Sequence, residues 1–143
     1  MKIKNQVKFS FPAKSSNESF ARSAVAAFLM QLDPTISQLS DIKTSVSEAV
    51  TNSIVHGYKQ EGGLIYISVA IDENSLVTIK VRDKGCGIKD IEKAMEPLFT
   101  TGGEERAGLG FAVMQSFMDS VKVRSTEGKG TTVTLKKKLS YDL

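Results

Sequence analysis

Val77, Ile79, Val81 and Asp83 alternate along one run and put a carboxylate at the end of an otherwise apolar row. Successive strand side chains point to opposite faces, so this run reads as a strand whose covered face ends in Asp83. A carboxylate buried without a partner is costly. The position therefore requires hydrogen-bond donors, and a bound group offering an N–H would supply one. Asp83 opens Asp83-Lys84-Gly85-Cys86-Gly87, a D-x-G-x-G pattern in which bare backbone at Gly85 and Gly87 can lie close to a ligand. Upstream, Ile65, Ile67, Val69 and Ile71 alternate with Tyr66, Ser68 and Ala70, and Asp72-Glu73-Asn74 separates the two runs. Together they predict a β-hairpin.

Val7, Phe9 and Phe11 alternate with polar residues, which predicts an opening strand at a sheet edge. Ser15-Ser16-Asn17-Glu18 has the form of a capping box, and Phe20, Ala24, Ala27, Phe28 and Leu32 follow at helical spacing. These predict a helix over 16–32. Arg22, two residues beyond core-facing Phe20, is turned about 200° from it and is expected to be exposed. A second box, Thr35-x-x-Gln38, precedes the apolar stripe Leu39, Ile42, Val46, Ala49, Val50 and Ile54, with Gly62-Gly63 as the expected stop. On a neighbouring polar strip of this second helix lie Glu48, Asn52 and His56. Residues four apart can reach one ligand. The Asn52 amide oxygen can ligate Mg2+, which completes its shell with phosphate oxygens. Glu48 can take a proton from an attacking hydroxyl. His56 is read as a helix-flank residue without chemistry, and Cys86 as a small side chain between glycines.

Residues 96–107 hold Pro97, Thr100-Thr101 and Gly102-Gly103 and few apolar anchors, which predicts a mobile lid. Gly108-Leu109-Gly110 is expected to open a further helix, whose unpaired N–H groups suit phosphates. Arg106, beside that turn, can neutralise a terminal phosphate. Strands follow around Val121 and Val123 and around Thr131, Val133 and Leu135, and only Thr131, not Thr132, shares the covered face. The order of strand, two helices, hairpin, lid, helix and two strands predicts one α/β domain over residues 1–143. Its sheet is expected to be mixed and mostly antiparallel, with helices on one face.

Composition narrows the function classes. The net charge of +3 comes from Lys and Arg spread along 143 residues, and Lys136-Lys137-Lys138 is the one basic run. No stripe for a phosphate backbone is evident, so no direct nucleic-acid partner is expected. One Cys and one His build neither a disulfide framework nor a Cys/His metal cluster, and a reducing cytoplasm is the expected compartment. The apolar run from Ala24 to Met30 is too short to span a bilayer, and no signal-peptide core precedes it.

In order, Glu48-x-x-x-Asn52, Asp83-x-Gly85-x-Gly87, Gly108-Leu109-Gly110 and Gly128-x-Gly130-Thr131 resemble the ATP-binding boxes of the gyrase, Hsp90, histidine-kinase and MutL superfamily. Within it, Asn17-Glu18-Ser19-Phe20-Ala21-Arg22, Gln31-Leu32-Asp33-Pro34-Thr35 and Pro97-Leu98-Phe99-Thr100-Thr101 are similar to the bacterial sporulation anti-sigma factors with serine kinase activity. The resemblance implies a two-layer Bergerat-type ATP-binding sandwich that binds ATP or ADP with Mg2+. Asp83 would accept from the adenine amino group, Thr131 would support the adenine end, Asn52 would ligate Mg2+, and Glu48 would be the general base. Gly85, Gly87, Ile88, Thr100, Thr101, Arg106, Gly108, Gly110 and Phe111 would complete the nucleotide site. It also implies a homodimer that captures a sigma factor, with Arg22 in partner contact, and that phosphorylates a serine of an anti-anti-sigma protein.

The lid sequence Gly102-Gly103-Glu104-Glu105 departs from the pattern in being more acidic. A sensor histidine kinase is expected to add a helical segment bearing an acceptor His, and a gyrase-like ATPase a following transducer domain; neither is expected here. Two alternatives share these boxes. One is a stress-response anti-sigma kinase, and the other a nucleotide-dependent sigma-binding module without appreciable phosphotransfer.

Overall fold

The computed structural model describes residues 2–96 and 102–139, and for 102–108 the backbone alone. Strand β1 (Ile3–Pro12) leads into helix α1 (Ser16–Leu29), a 3-10 turn (Met30–Leu32) and helix α2 (Ile36–Asn52). A π-helical turn (Ser53–Gly57) then precedes the hairpin β2 (Leu64–Asp72) and β3 (Leu76–Asp83). The short α3 (Ile91–Ala94), the long α4 (Gly102–Phe117), β4 (Ser120–Thr126) and β5 (Gly130–Lys138) follow. The sheet runs in the order β1-β2-β3-β5-β4. Each pairing is antiparallel, so the antiparallel part of the expected mixed sheet is all of it among the described residues. β1 is an edge strand, as its short alternation predicts.

The period-2 residues of the hairpin form the floor of the core. Ile65, Ile67, Val69 and Ile71 of β2, Val77, Ile79 and Val81 of β3, and Val133 and Leu135 of β5 are all buried. Onto them pack Ala21, Val25 and Leu29 of α1, Ile42, Val46, Ala49 and Val50 of α2, and Phe111, Met114 and Met118 of α4. No described helix is long and apolar enough to cross a membrane.

The helix ends correct several expectations. Thr35 and Gln38 form the predicted capping box, each side chain bonding the other's backbone N–H at 3.0 Å. Ser15 does not: it is helical itself and makes no side-chain cap bond. Its intended partner Glu18 is engaged elsewhere, accepting from Thr51 Oγ1 of α2 at 3.2 Å. The apolar face of α1 is also rotated by one residue, because Ala21 and Val25 are small enough to bring α1 close to α2. Phe20 is left 54% exposed, edge-on to Phe9 and Phe11 at 6.0 and 6.2 Å. Arg22 is consequently half-buried rather than exposed. Helix α2 stops before Gly62-Gly63. The π turn ends it at Gly57, and Lys59 and Gln60 take left-handed φ angles of 50° and 64°.

At the expected lid, α4 already begins at Gly102, so Gly108 lies inside a helix instead of opening one. Glu104, Glu105, Arg106 and Ala107 favour that extension, since all are good helix formers and acidic residues suit a helix N-terminus.

Candidate active site

A cleft of about 900 Å³ opens between the C-terminal end of α2 with its π turn, the ends of β3 and β5, and the segment running from Gly87 through α3. Asn52, Asp83, Gly87, Ile88, Phe111 and Thr131 line it. These residues are distant in sequence. Antiparallel register does part of the gathering, since Asp83 pairs directly with Thr131.

Asp83 is 4% exposed. Its Oδ1 accepts the Gly85 N–H at 3.0 Å, and the Ser53 side chain and the Thr131 backbone also donate to it. Desolvation outweighs these bonds and raises its pKa above the ordinary 3.8. No cation faces it among these partners, so the carboxylate is buried with hydrogen bonds alone and with an open cleft beside it.

Gly57 explains how the aspartate fits. A Cβ on Gly57 would come within 2.8 Å of Asp83 Oδ2, and one on Gly85 would overlap the Gly57 carbonyl oxygen. The Cys86 N–H closes this contact by donating to Gly57 O at 2.8 Å. The π turn widens α2 where that close approach is made, a placement common for π-bulges at functional sites. Below, Ser125 Oγ bonds Thr131 Oγ1 at 2.8 Å and accepts the Ile88 N–H at 2.7 Å, so three chain segments are locked around one hydroxyl pair. Tyr58 braces the far side. Its hydroxyl donates to Leu64 O at 2.5 Å and accepts the Lys84 N–H at 2.7 Å, and burial raises its pKa.

Glu48 and Asn52 meet α4 at Gly110. A Cβ there would stand 3.0 Å from Glu48 Oε2 and 3.4 Å from Asn52 Nδ2, so only a glycine leaves both heads undisturbed. Asn52 lines the cleft, whereas Glu48 lies beside it, half-buried under α4. The Asn52 Nδ2 atom is buried without a hydrogen-bond partner among the described residues. A buried amide left incomplete is costly, and a ligand arriving at its head would complete it. No group of three His, Cys, Asp or Glu side chains among the described residues can cage a metal. A single amide oxygen instead fits a cation that takes most of its shell from phosphate and water.

Arg22 is not in the cleft. It lies between α1 and α2, donating to Ser47 Oγ at 3.4 Å and pairing with Glu18 at 3.8 Å. Thr100 and Thr101 lie outside the described residues, as does the side chain of Arg106, while the Gly108 backbone lies within α4. Sequence reasoning missed Ser53, Gly57, Tyr58 and Ser125. Ser53 and Gly57 repeat the four-residue spacing of Glu48 and Asn52 one position further around the helix, but only the π turn reveals that they meet Asp83.

The chain matches the histidine kinase-like ATPase domain family over residues 11–137. It is 57% identical over 143 residues to the anti-sigma F factor of Thermoanaerobacter sp. (strain X514), covering 99% of both chains. To the anti-sigma F factor of Clostridium acetobutylicum it is 52% identical over 139 residues, covering 96% of each. Its fold is similar to a third of the structure of the RsbU and RsbW domains of Rv1364c from Mycobacterium tuberculosis, with a TM-score of 0.69 and 18% identity over 96% of this chain and 33% of that one. The chain is thus a nucleotide-binding domain of the histidine kinase-like ATPase family and, within that family, belongs to the anti-sigma F factors.

Proposed function

We propose that this chain binds a sigma factor and, with ATP and Mg2+, phosphorylates a serine of an anti-anti-sigma partner. It acts as a homodimer in the cytoplasm of a sporulating cell. The observation that carries the reading is Asp83, buried on hydrogen bonds alone among the described residues at an open cleft, with Asn52 lining that cleft and Glu48 beside it. A carboxylate so placed accepts the amino group of adenine, and the Thr131–Ser125 hydroxyl pair supports the same end of the base. The phosphates then extend toward α4, with Gly110 leaving room beside Glu48.

Asn52 would hold Mg2+, which when bound offsets the phosphate charge. The Glu48 carboxylate takes the proton of the serine hydroxyl. The serine Oγ–phosphorus bond forms, the bond between the γ-phosphorus and the β,γ-bridging oxygen breaks, and ADP leaves. Positioning and charge stabilisation dominate such transfers, which suits a site with few catalytic groups. Arg22, held between two helices next to Ser47, is the residue assigned to partner contact.

Incubating the chain with Mg-ATP and the anti-anti-sigma protein, followed by mass spectrometry of the partner, tests the reading. The expected product is one phosphoserine, formed only when both ATP and the chain are present. Sigma capture with no phosphoserine would instead identify a binding module.

A further inference from the structure

Six of the 19 lysines and arginines, which look dispersed along the chain, share one surface. The sheet face opposite the helices carries three cross-strand rows fixed by register. They are Ser10-Tyr66-Arg82-Thr132-Arg124, Lys8-Ser68-Lys80-Thr134-Lys122 and Gln6-Ala70-Thr78-Lys136-Ser120. Six of these fifteen positions are Lys or Arg and none is Asp or Glu. Lys8, Lys80, Arg82, Lys122 and Arg124 are exposed, and none of the six pairs with a carboxylate among the described residues. Period-2 alternation hides this in the sequence, because each cation is separated from the next by a core residue.

We propose that this face binds single-stranded nucleic acid through its phosphate backbone. Cations two strands apart stand roughly 10 Å apart, and those two residues apart on one strand about 7 Å, so an extended polyanion meets several at once. Between the cations, Ser68, Thr78, Thr132 and Thr134 add hydroxyl donors of the kind that contact phosphate oxygens. At one end of the face lies a shallow groove of about 420 Å³ where Arg82, Lys84, Arg124 and Lys129 stand with the ends of β3 and β5 at Asp83 and Thr131. Arg82 and Lys84 sit over the Tyr66 ring, 4.8 and 5.1 Å from its centroid. That stack offers an unpaired base a planar cation and an aromatic edge.

Three other occupants fit less well. A protein partner needs apolar anchors at the centre of its interface, and Ala70 and Tyr66 are all the rows provide. A lipid surface held by charge and insertion lacks inserting side chains for the same reason. A second copy would set like charges against like.

The test is fluorescence anisotropy with a labelled single-stranded RNA of about 20 nucleotides, between about 50 and 200 mM salt. If four to six phosphates are contacted, log K falls with log salt with a slope of about −3 to −4. The variant K8Q/K80Q/K122Q removes one row of exposed cations remote from the cleft. It is expected to lose at least about tenfold in RNA affinity at the lowest salt and to flatten the slope by about 2. Its affinity for ADP should be unchanged, which shows that it folds. RNA binding by the variant with wild-type affinity and slope would overturn the proposal. So would the absence of RNA binding by the parent chain at 50 mM salt, or its tighter capture by phosphatidylserine vesicles than by RNA.

Discussion

Replacing Asp83 with Asn should move stability and nucleotide affinity in opposite directions. In the folded chain Oδ1 is already committed to the Gly85 N–H. An Asn that keeps this bond puts its NH2 where Oδ2 stood, beside Gly57, and so presents a donor where the adenine amino group needs an acceptor. Losing a hydrogen bond to a charged group costs about 1.5–3 kcal/mol, which is about tenfold to a hundredfold in Kd.

Stability follows the pKa. Burial raises the Asp83 value above 3.8, so the folded state favours the protonated form. Its stabilising contribution is complete below 3.8 and is lost as pH rises through the folded value. At neutral pH the ionised carboxylate is thus a burden that Asn removes. Urea unfolding at pH 7 should show Asp83→Asn at least as stable as the parent, while calorimetry shows the loss of ADP affinity. The parent should also lose ADP affinity on acidification, beginning above the pH at which an ordinary aspartate titrates, and the variant should lack that dependence. Unchanged ADP affinity in the folded variant would refute the adenine assignment. A parallel loss of stability would refute the desolvation argument.

Gly110→Ala gains helix propensity of about 0.5–1 kcal/mol but crowds Glu48 Oε2 at 3.0 Å. Its melting temperature should hold or rise while phosphotransfer falls at least about tenfold, and an unchanged rate would show that Glu48 has room to shift. Tyr58→Phe removes the bonds to Leu64 O and the Lys84 N–H and should cost about 1–3 kcal/mol in urea unfolding. Arg22→Ala gives up a pair that is 42% exposed on the arginine side. It should lower stability by less than about 1 kcal/mol and leave ADP affinity intact, yet weaken capture of sigma factor or anti-anti-sigma protein in pull-downs.

Where the pattern has period 2 or a reciprocal cap, the sequence was legible. The hairpin, the inward Asp83 and Thr131, and the Thr35–Gln38 box depend on side chains that neighbours in sequence decide. Other features depended on tertiary competition. Glu18 reads as a cap for α1 until Thr51 of α2 takes it, and Phe20 reads as core until Ala21 lets the helices approach. The π turn has no local signature, and it alone makes Ser53 and Gly57 neighbours of Asp83. Charge is hidden for a related reason: a sheet collects what alternation scatters, so even spacing along the chain conceals the cations of one sheet face.

Glu48→Gln tests the account most directly, because it keeps the size and hydrogen bonding of a side chain half-buried beside Asn52 and Gly110 while ending its capacity to accept a proton. The measurement pairs Mg-ATP affinity with the rate of phosphoserine formation on the anti-anti-sigma protein, in the same preparation. Binding should stay within about twofold of the parent, and the transfer rate should fall by about 10²-fold or more. Transfer at near the parent rate would contradict the general-base role and leave positioning of serine and phosphate to carry the reaction.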